Sequence, residues 1–334
     1  MVDFGVFDHL DRRAGVPDQT IYEDRLRLIA AYDRAGIAMY HLAEHHATPL
    51  GLAPSPGLFL SAVAQRTEKM HFGPMVYCLP LYEPLRLIEE ICMLDQMSGG
   101  RFEFGVGRGI SPFEVAYFGI DKENAGPIYL EAFEVLKRGL TSDVLNFSGE
   151  HFTYDEVPMI GSPVGKPHPP MWYGVATPDG AAWPASQKIN VISNSPCEIA
   201  RSATDQYRET WDRNHGGPVT AKLGVARHVF IADSQAEADR VAGRAYAAWY
   251  ENFINLWRKH GVEDPAYAST LETARARDAI IAGTPDMVAA EIERQIEAAG
   301  LNYFVCRFAY GDLSFEEAAG SLDRFAQEVM PRFN

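Results

Sequence analysis

The chain predicts a closed (β/α)8 barrel with long insertions in the loops after strands four and seven. Three observations predict it. Eight short apolar runs recur along the sequence, amphipathic helical patterns separate them, and no composition shift or Gly/Ser/Pro-rich linker divides residues 1–334, which are read as one domain. A barrel of this kind takes about 250 residues, so a chain of 334 leaves room for two insertions.

The apolar runs lie at 2–7, 38–43, 70–78, 101–106, 170–175, 189–193, 222–231 and 302–308, each short enough for a parallel strand buried on both faces. Between them, residues 20–36 place Leu26, Ile29 and Ala30 on one helical face, and residues 287–300 do the same with Val288, Ile292 and Ala299. Helix starts are expected at Thr20/Glu23, Ser195/Glu198, Ser234/Glu237 and Ser314/Glu317, which fit the S/T-x-x-E capping box. Pro196 and Pro285 suit a first helical turn. The first insertion runs from 111 to 169, with a helix near 129–140 and a hairpin near 146–154. The second, 259–283, reads as a mobile lid.

Composition excludes several classes of function. An apolar content of 47% without a run of about 18 apolar residues predicts a large core and no membrane span. The N-terminal run lacks the basic stretch and cleavage site of a signal peptide, so a cytoplasmic protein is expected. A net charge of −15 repels nucleic acid and anionic membranes. Cys78, Cys92, Cys197 and Cys306 form no C-x-x-C pair and read as reduced structural thiols.

In such barrels the active site gathers at the C-terminal ends of the strands. There the sequence places Asp8-His9, Glu44-His45-His46, Gly107-Arg108-Gly109 and Ala176-Thr177. Gly105, Gly107 and Gly109 remove side chains around Arg108, so backbone amides and a guanidinium could approach one anionic group. The pattern is not a dinucleotide fingerprint, because Ile110 stands where the third glycine belongs. The competing reading of the acid and histidine ends is a metal site formed by His9, His45 and Glu44. Against it, the first strand has no H-x-H pair, and no further His or Cys ends strands five or six. His46 reads as a structural neighbour of His45.

Ala43 to His46, Leu79 to Arg86, Leu94 to Gly109, Lys166 to Pro170 and Ala282 to Pro285, in this order and spacing, resemble the bacterial luciferase-like flavin monooxygenases, and Leu79 to Gly109 is closest to the luciferase alpha subunit. The resemblance implies a barrel that binds reduced FMN, supplied by a separate flavin reductase, and reacts it with O2 to a C4a-hydroperoxyflavin. One oxygen atom then enters a small, hydrophobic organic substrate. It implies His45 as the catalytic base and Arg108 on the flavin phosphate, with Ala176, Thr177 and Ala181 completing that site at a helix N-terminus. Met75-Val76 matches a non-proline cis peptide against the flavin ring.

Two positions depart from luciferase: Gly107 replaces a reactive cysteine and Ser111 a tyrosine, so the cofactor is packed differently around Ser111 and efficient light emission is not expected. The family also includes F420-dependent oxidoreductases and a non-catalytic flavin-binding subunit, and both stay open as alternatives. The apolar residues Phe7, Tyr77 and Trp172 near the mouth are candidate walls for the substrate and equally candidate core. A homodimer is expected from the resemblance and from an apolar helix whose Leu87, Ile91 and Leu94 face either a partner helix or the barrel itself.

Overall fold

Strands form where the chain is buried on both faces, and the longest shows this most plainly, with all nine residues of Leu223–Ile231 buried. The computed structural model describes residues 2–262 and 267–333. In chain order the described strands are β1 (Asp3–Asp8), β2 (Met39–Leu42), β3 (His71–Pro74), β4 (Tyr77–Cys78), β5 (Phe104–Gly107), β6 (Val144–Ser148), β7 (Thr153–Pro158), β8 (Met171–Gly174), β9 (Asn190–Ser193), β10 (Leu223–Ile231), β11 (Ile280–Gly283) and β12 (Tyr303–Arg307).

Parallel pairing runs β3-β2-β1-β12-β10-β9-β8-β5. The ring closes where the Phe72 amide donates to the Arg101 carbonyl at 3.1 Å and the Glu103 amide donates to the Phe72 carbonyl at 3.0 Å. The backbones approach so closely there that a Cβ on Gly73 would lie 1.6 Å from the Glu103 oxygen. Residues alternate between the two faces of each strand, so Phe7, Met39, Ala43, Met75, Trp172, Ile192, Ala226, Tyr303 and Val305 pack together inside the barrel. A larger core lies between the sheet and the helices.

The helices include α1 (Asp18–Ala35), α2 (Pro56–Arg66), α3 (Pro84–Ser98), α4 (Pro112–Tyr117) and α5 (Lys122–Thr141) in the first half. The second half holds α6 (Ala182–Ser186), α7 (Cys197–Asn214), α8 (Gln235–Phe253), α9 (Asn255–Lys259), α10 (Leu271–Ala276), α11 (Pro285–Ala299) and α12 (Phe315–Arg324). Ser314 and Glu317 form the expected reciprocal capping box, and the Ser234 hydroxyl accepts from the Glu237 amide. The other two expected starts are wrong. Helix α1 begins before Thr20, with Pro17 at its cap. Helix α7 begins at Cys197, and the Ser195 hydroxyl instead donates to the Ala176 carbonyl at 3.0 Å.

The segment 111–169 holds α5 and the antiparallel β6–β7 hairpin, as its pattern predicts. The segment 259–283 is not a plain loop in its described residues. It contains α10 and also β11, which pairs in parallel with residues 228–231 of β10; residues 263–266 lie outside the described residues. Leu87, Ile91 and Leu94 are buried in the molecule's own core, so they do not offer a face to a partner; Met93 and Met97 are the exposed apolar residues of that helix. Among the described residues no helix is long and apolar enough to cross a membrane.

Candidate active site

Strand β5 pairs with β8 in the register Phe104↔Met171 and Gly105↔Trp172, which brings Arg108 and the Ala176-Thr177 turn out side by side at the C-terminal rim. Arg108 is exposed, and its guanidinium has no hydrogen-bond or ion-pair partner among the described residues. Its charge reaches Tyr173, where it partly offsets the rise that burial imposes on the phenol. The amides of Ala176 and Thr177 are likewise without partners among the described residues. Ala181 differs. It is buried, and its amide is spent on the Pro178 carbonyl at 2.9 Å in a tight turn.

The glycines before Arg108 serve a different purpose from the one their sequence suggests. A Cβ on Gly107 would stand 2.5 Å from the Val76 side chain, and one on Gly105 would stand 3.1 Å from the Met75 sulfur and 2.8 Å from the Pro74 carbonyl. Gly105 and Gly107 are clearances for the neighbouring Met75-Val76 segment, whose peptide bond is cis. The cysteine that luciferase carries at position 107 has no room here. Gly109 alone has a left-handed backbone, at φ +88°.

His45 follows β2 and is held by Glu114, a residue that no motif singles out. Its Nδ1 lies 3.2 Å from the Glu114 Oε1, and Glu114 Oε2 accepts the His46 amide at 2.9 Å. Ser111 is buried and its hydroxyl accepts from the Glu114 amide at 3.3 Å, so it caps α4 and sets the carboxylate under the histidine. With both Glu114 oxygens accepting, the proton of a neutral His45 sits on Nδ1 and Nε2 presents its lone pair. His9 stacks on the His45 ring, with ring centres 5.7 Å apart. The only local hint of Glu114 was the Ser111-x-x-Glu114 spacing of a helix start, which carries no information about a contact 69 residues away.

His9, His45 and Glu44, the candidate metal ligands, do not converge on one point. Glu44 turns away from His45: its carboxylate accepts from the Cys78 amide at 3.1 Å and the Tyr82 hydroxyl at 2.8 Å, and it pairs with His46 at 2.9 Å. Burial pushes the His9 pKa well down, which keeps its ring neutral, and its Nδ1 faces the Trp249 N–H. Among the described residues no group of three His, Cys, Asp or Glu side chains is arranged to hold a metal ion.

His45, Ile110, Ser111 and Glu114 are shared by two adjoining clefts at the mouth. One leads to Arg108 and Cys78. The other is walled by Leu50, Phe253, Leu256 and Trp257. The apolar residues expected at the mouth are elsewhere. Phe7, Tyr77 and Trp172 are buried core, because the period of two that places a residue on a strand's inner face does not say how deep in the barrel it lies.

The pattern that defines the luciferase-like monooxygenases matches residues 2–303, and the chain belongs to that flavin-dependent family. It is 39% identical to protein y4wF of Sinorhizobium fredii over 331 residues, 98% of this chain and 96% of that protein. It is 25% identical to the oxygenase component of the flavin-dependent trigonelline monooxygenase of Acinetobacter baylyi, over 99% of this chain and 95% of the other. In fold it is similar to the oxygenating constituent of 3,6-diketocamphane monooxygenase of Pseudomonas putida, solved with FMN, with a TM-score of 0.85 at 21% identity over 99% of this chain and 98% of the other. An F420-dependent secondary alcohol dehydrogenase superimposes less closely, with a TM-score of 0.77 at 18% identity, covering 100% of this chain and 99% of the other.

Proposed function

We propose that the protein is the oxygenase component of a two-component monooxygenase that takes reduced FMN from a separate reductase and transfers one atom of O2 to a small apolar substrate. The observation that carries this reading is the Arg108 guanidinium, without a partner among the described residues, beside the similarly open Ala176 and Thr177 amides, a donor set that matches a phosphate dianion. The residues present also fit the ring. Met75 and Val76, backed by Gly105 and Gly107, make an apolar bed one strand away from Arg108, and Gly174 adds no side chain beside Met75. Reduced FMN, when bound, supplies the electrons that activate O2.

The chain's own residues do the rest. Arg108, Thr177 and Ala176 hold the phosphate, and Met75-Val76 carries the ring. His45, oriented by Glu114, accepts a proton at Nε2 during oxygen transfer. Leu50, Phe253, Leu256 and Trp257 receive the apolar part of the substrate and exclude water. The protein is further read as a homodimer, since Leu58 of α2 and Met93 of α3 are 76% and 61% exposed on adjacent helices; a monomer mass by light scattering contradicts this.

Anaerobic titration with reduced FMN and with reduced F420 tests the cofactor. Tight binding of FMN supports the proposal, and tight binding of F420 alone overturns it in favour of a hydride-transferring oxidoreductase.

A further inference from the structure

Opposite Arg108, the barrel mouth holds a second arginine that the reading above leaves without a task. Arg307 is the last residue of β12 and shares its inward face with Tyr303 and Val305. It is 6% exposed, and no carboxylate pairs with it among the described residues. One terminal nitrogen donates to the Asn194 Oδ1 at 2.6 Å, another to the Ala226 carbonyl at 3.3 Å, and Nε has no partner. The guanidinium lies 4.7 Å above the Phe7 ring.

Its neighbours do not neutralise it. His9 and His228 both have pKa values pushed well below the ordinary histidine value by burial, and the Arg307 charge lowers each further. Both ring nitrogens of His228 are unpartnered, between Trp249 and Tyr310. Arg227, the next cation, sits on the outer face, bonded to Gln295 of α11. A buried cation that no acid pays for is costly unless something else completes it. Asn194 shows from which side completion comes: it follows β9 on the inward face, it is exposed, and it stands at the rim next to the end of β8.

We propose that Arg307, positioned by Asn194, is a second anion-binding residue of the mouth, taking a negatively charged atom of a small molecule whose other end lies toward Arg108. Two sources supply that chemistry: the pyrimidine edge of the reduced flavin ring, which carries negative charge once reduced, and a carboxylate on the organic substrate. The first source rests on the flavin reading and the second does not.

Arg307→Met, Arg307→Lys and Asn194→Leu are compared with the parent chain by anaerobic fluorescence titration against two probes, reduced lumiflavin and benzoate. Lumiflavin has no phosphate, so Arg108 does not enter, and the parent's affinity for it reports on the flavin reading separately. A tenfold to hundredfold loss of lumiflavin affinity in Arg307→Met, with partial rescue in Arg307→Lys, assigns the locus to the flavin ring. The same loss for benzoate alone assigns it to the substrate. Should Arg307→Met fail to fold, Asn194→Leu, at an exposed position, decides with a loss of about threefold to tenfold. Unchanged affinity for both probes in a folded variant, or a parent that binds neither, overturns the proposal and leaves Arg307 a packing residue.

Discussion

His45 depends on a carboxylate that sequence order hides. The neighbouring Glu44 is the obvious partner in the linear chain, yet it is bound to Cys78, Tyr82 and His46, while Glu114 reaches His45 from the start of α4. Replacing Glu114 by Gln presents an N–H to Nδ1 and moves the imidazole proton to Nε2, where it blocks proton uptake. Turnover should fall roughly tenfold or more with reduced-FMN affinity unchanged. Replacing His45 itself by Ala should cost about a hundredfold to ten-thousandfold in turnover. Stopped-flow absorbance of the oxygen reaction, with a melting curve on the same sample, separates these losses from misfolding. That His45, Arg108, Ala176 and Thr177 stand at one rim was legible because strand ends in a parallel barrel all face the same side. Glu114, Asn194 and Arg307 were not, since their roles come from contacts across the mouth rather than from spacing along the chain.

At the scale of elements, the eight barrel strands could be read because burial on both faces leaves continuous apolar runs. Strand β11 was missed because its four residues pair only with the overhanging end of β10. The glycines of β5 were seen but misread, since the Met75-Val76 segment that they accommodate belongs to a neighbouring strand. That packing is open to test. Gly107→Ala forces a Cβ to within 2.5 Å of Val76 and should cost about 1–3 kcal/mol by denaturant melting. Adding Val76→Ala removes the clashing methyls and should recover part of that loss. Equal destabilisation by the single and the double variant would disprove the clearance role.

For the whole molecule, buried histidines set the acid limit. His9, His41 and His228 are held neutral by burial, and the His41 pKa is pushed down to about 3 from an ordinary 6.5. The unfolded chain takes up these protons below pH 6.5 and the folded chain does not, so stability falls as pH drops through that value. The slope approaches about 1.4 kcal/mol per pH unit for each histidine. Asp11 acts in the opposite sense. Burial raises its pKa to about 7, so the folded chain keeps a proton that the unfolded chain releases, and stability gains as pH falls from 7 toward 4. Three groups against one predict a net loss of melting temperature between pH 6.5 and 4.5, steeper in Asp11→Asn. A melting temperature that holds steady across that window contradicts the buried neutral histidines.

Comparing reduced FMN with reduced riboflavin, which lacks the phosphate, tests whether Arg108 and the turn after β8 hold that group. Anaerobic titration of the parent chain should show FMN binding about tenfold to a hundredfold more tightly than riboflavin, and Arg108→Ala should erase the difference by weakening FMN alone. Equal affinity for the two flavins in the parent chain, or a preference for FMN that survives in Arg108→Ala, would contradict the assignment.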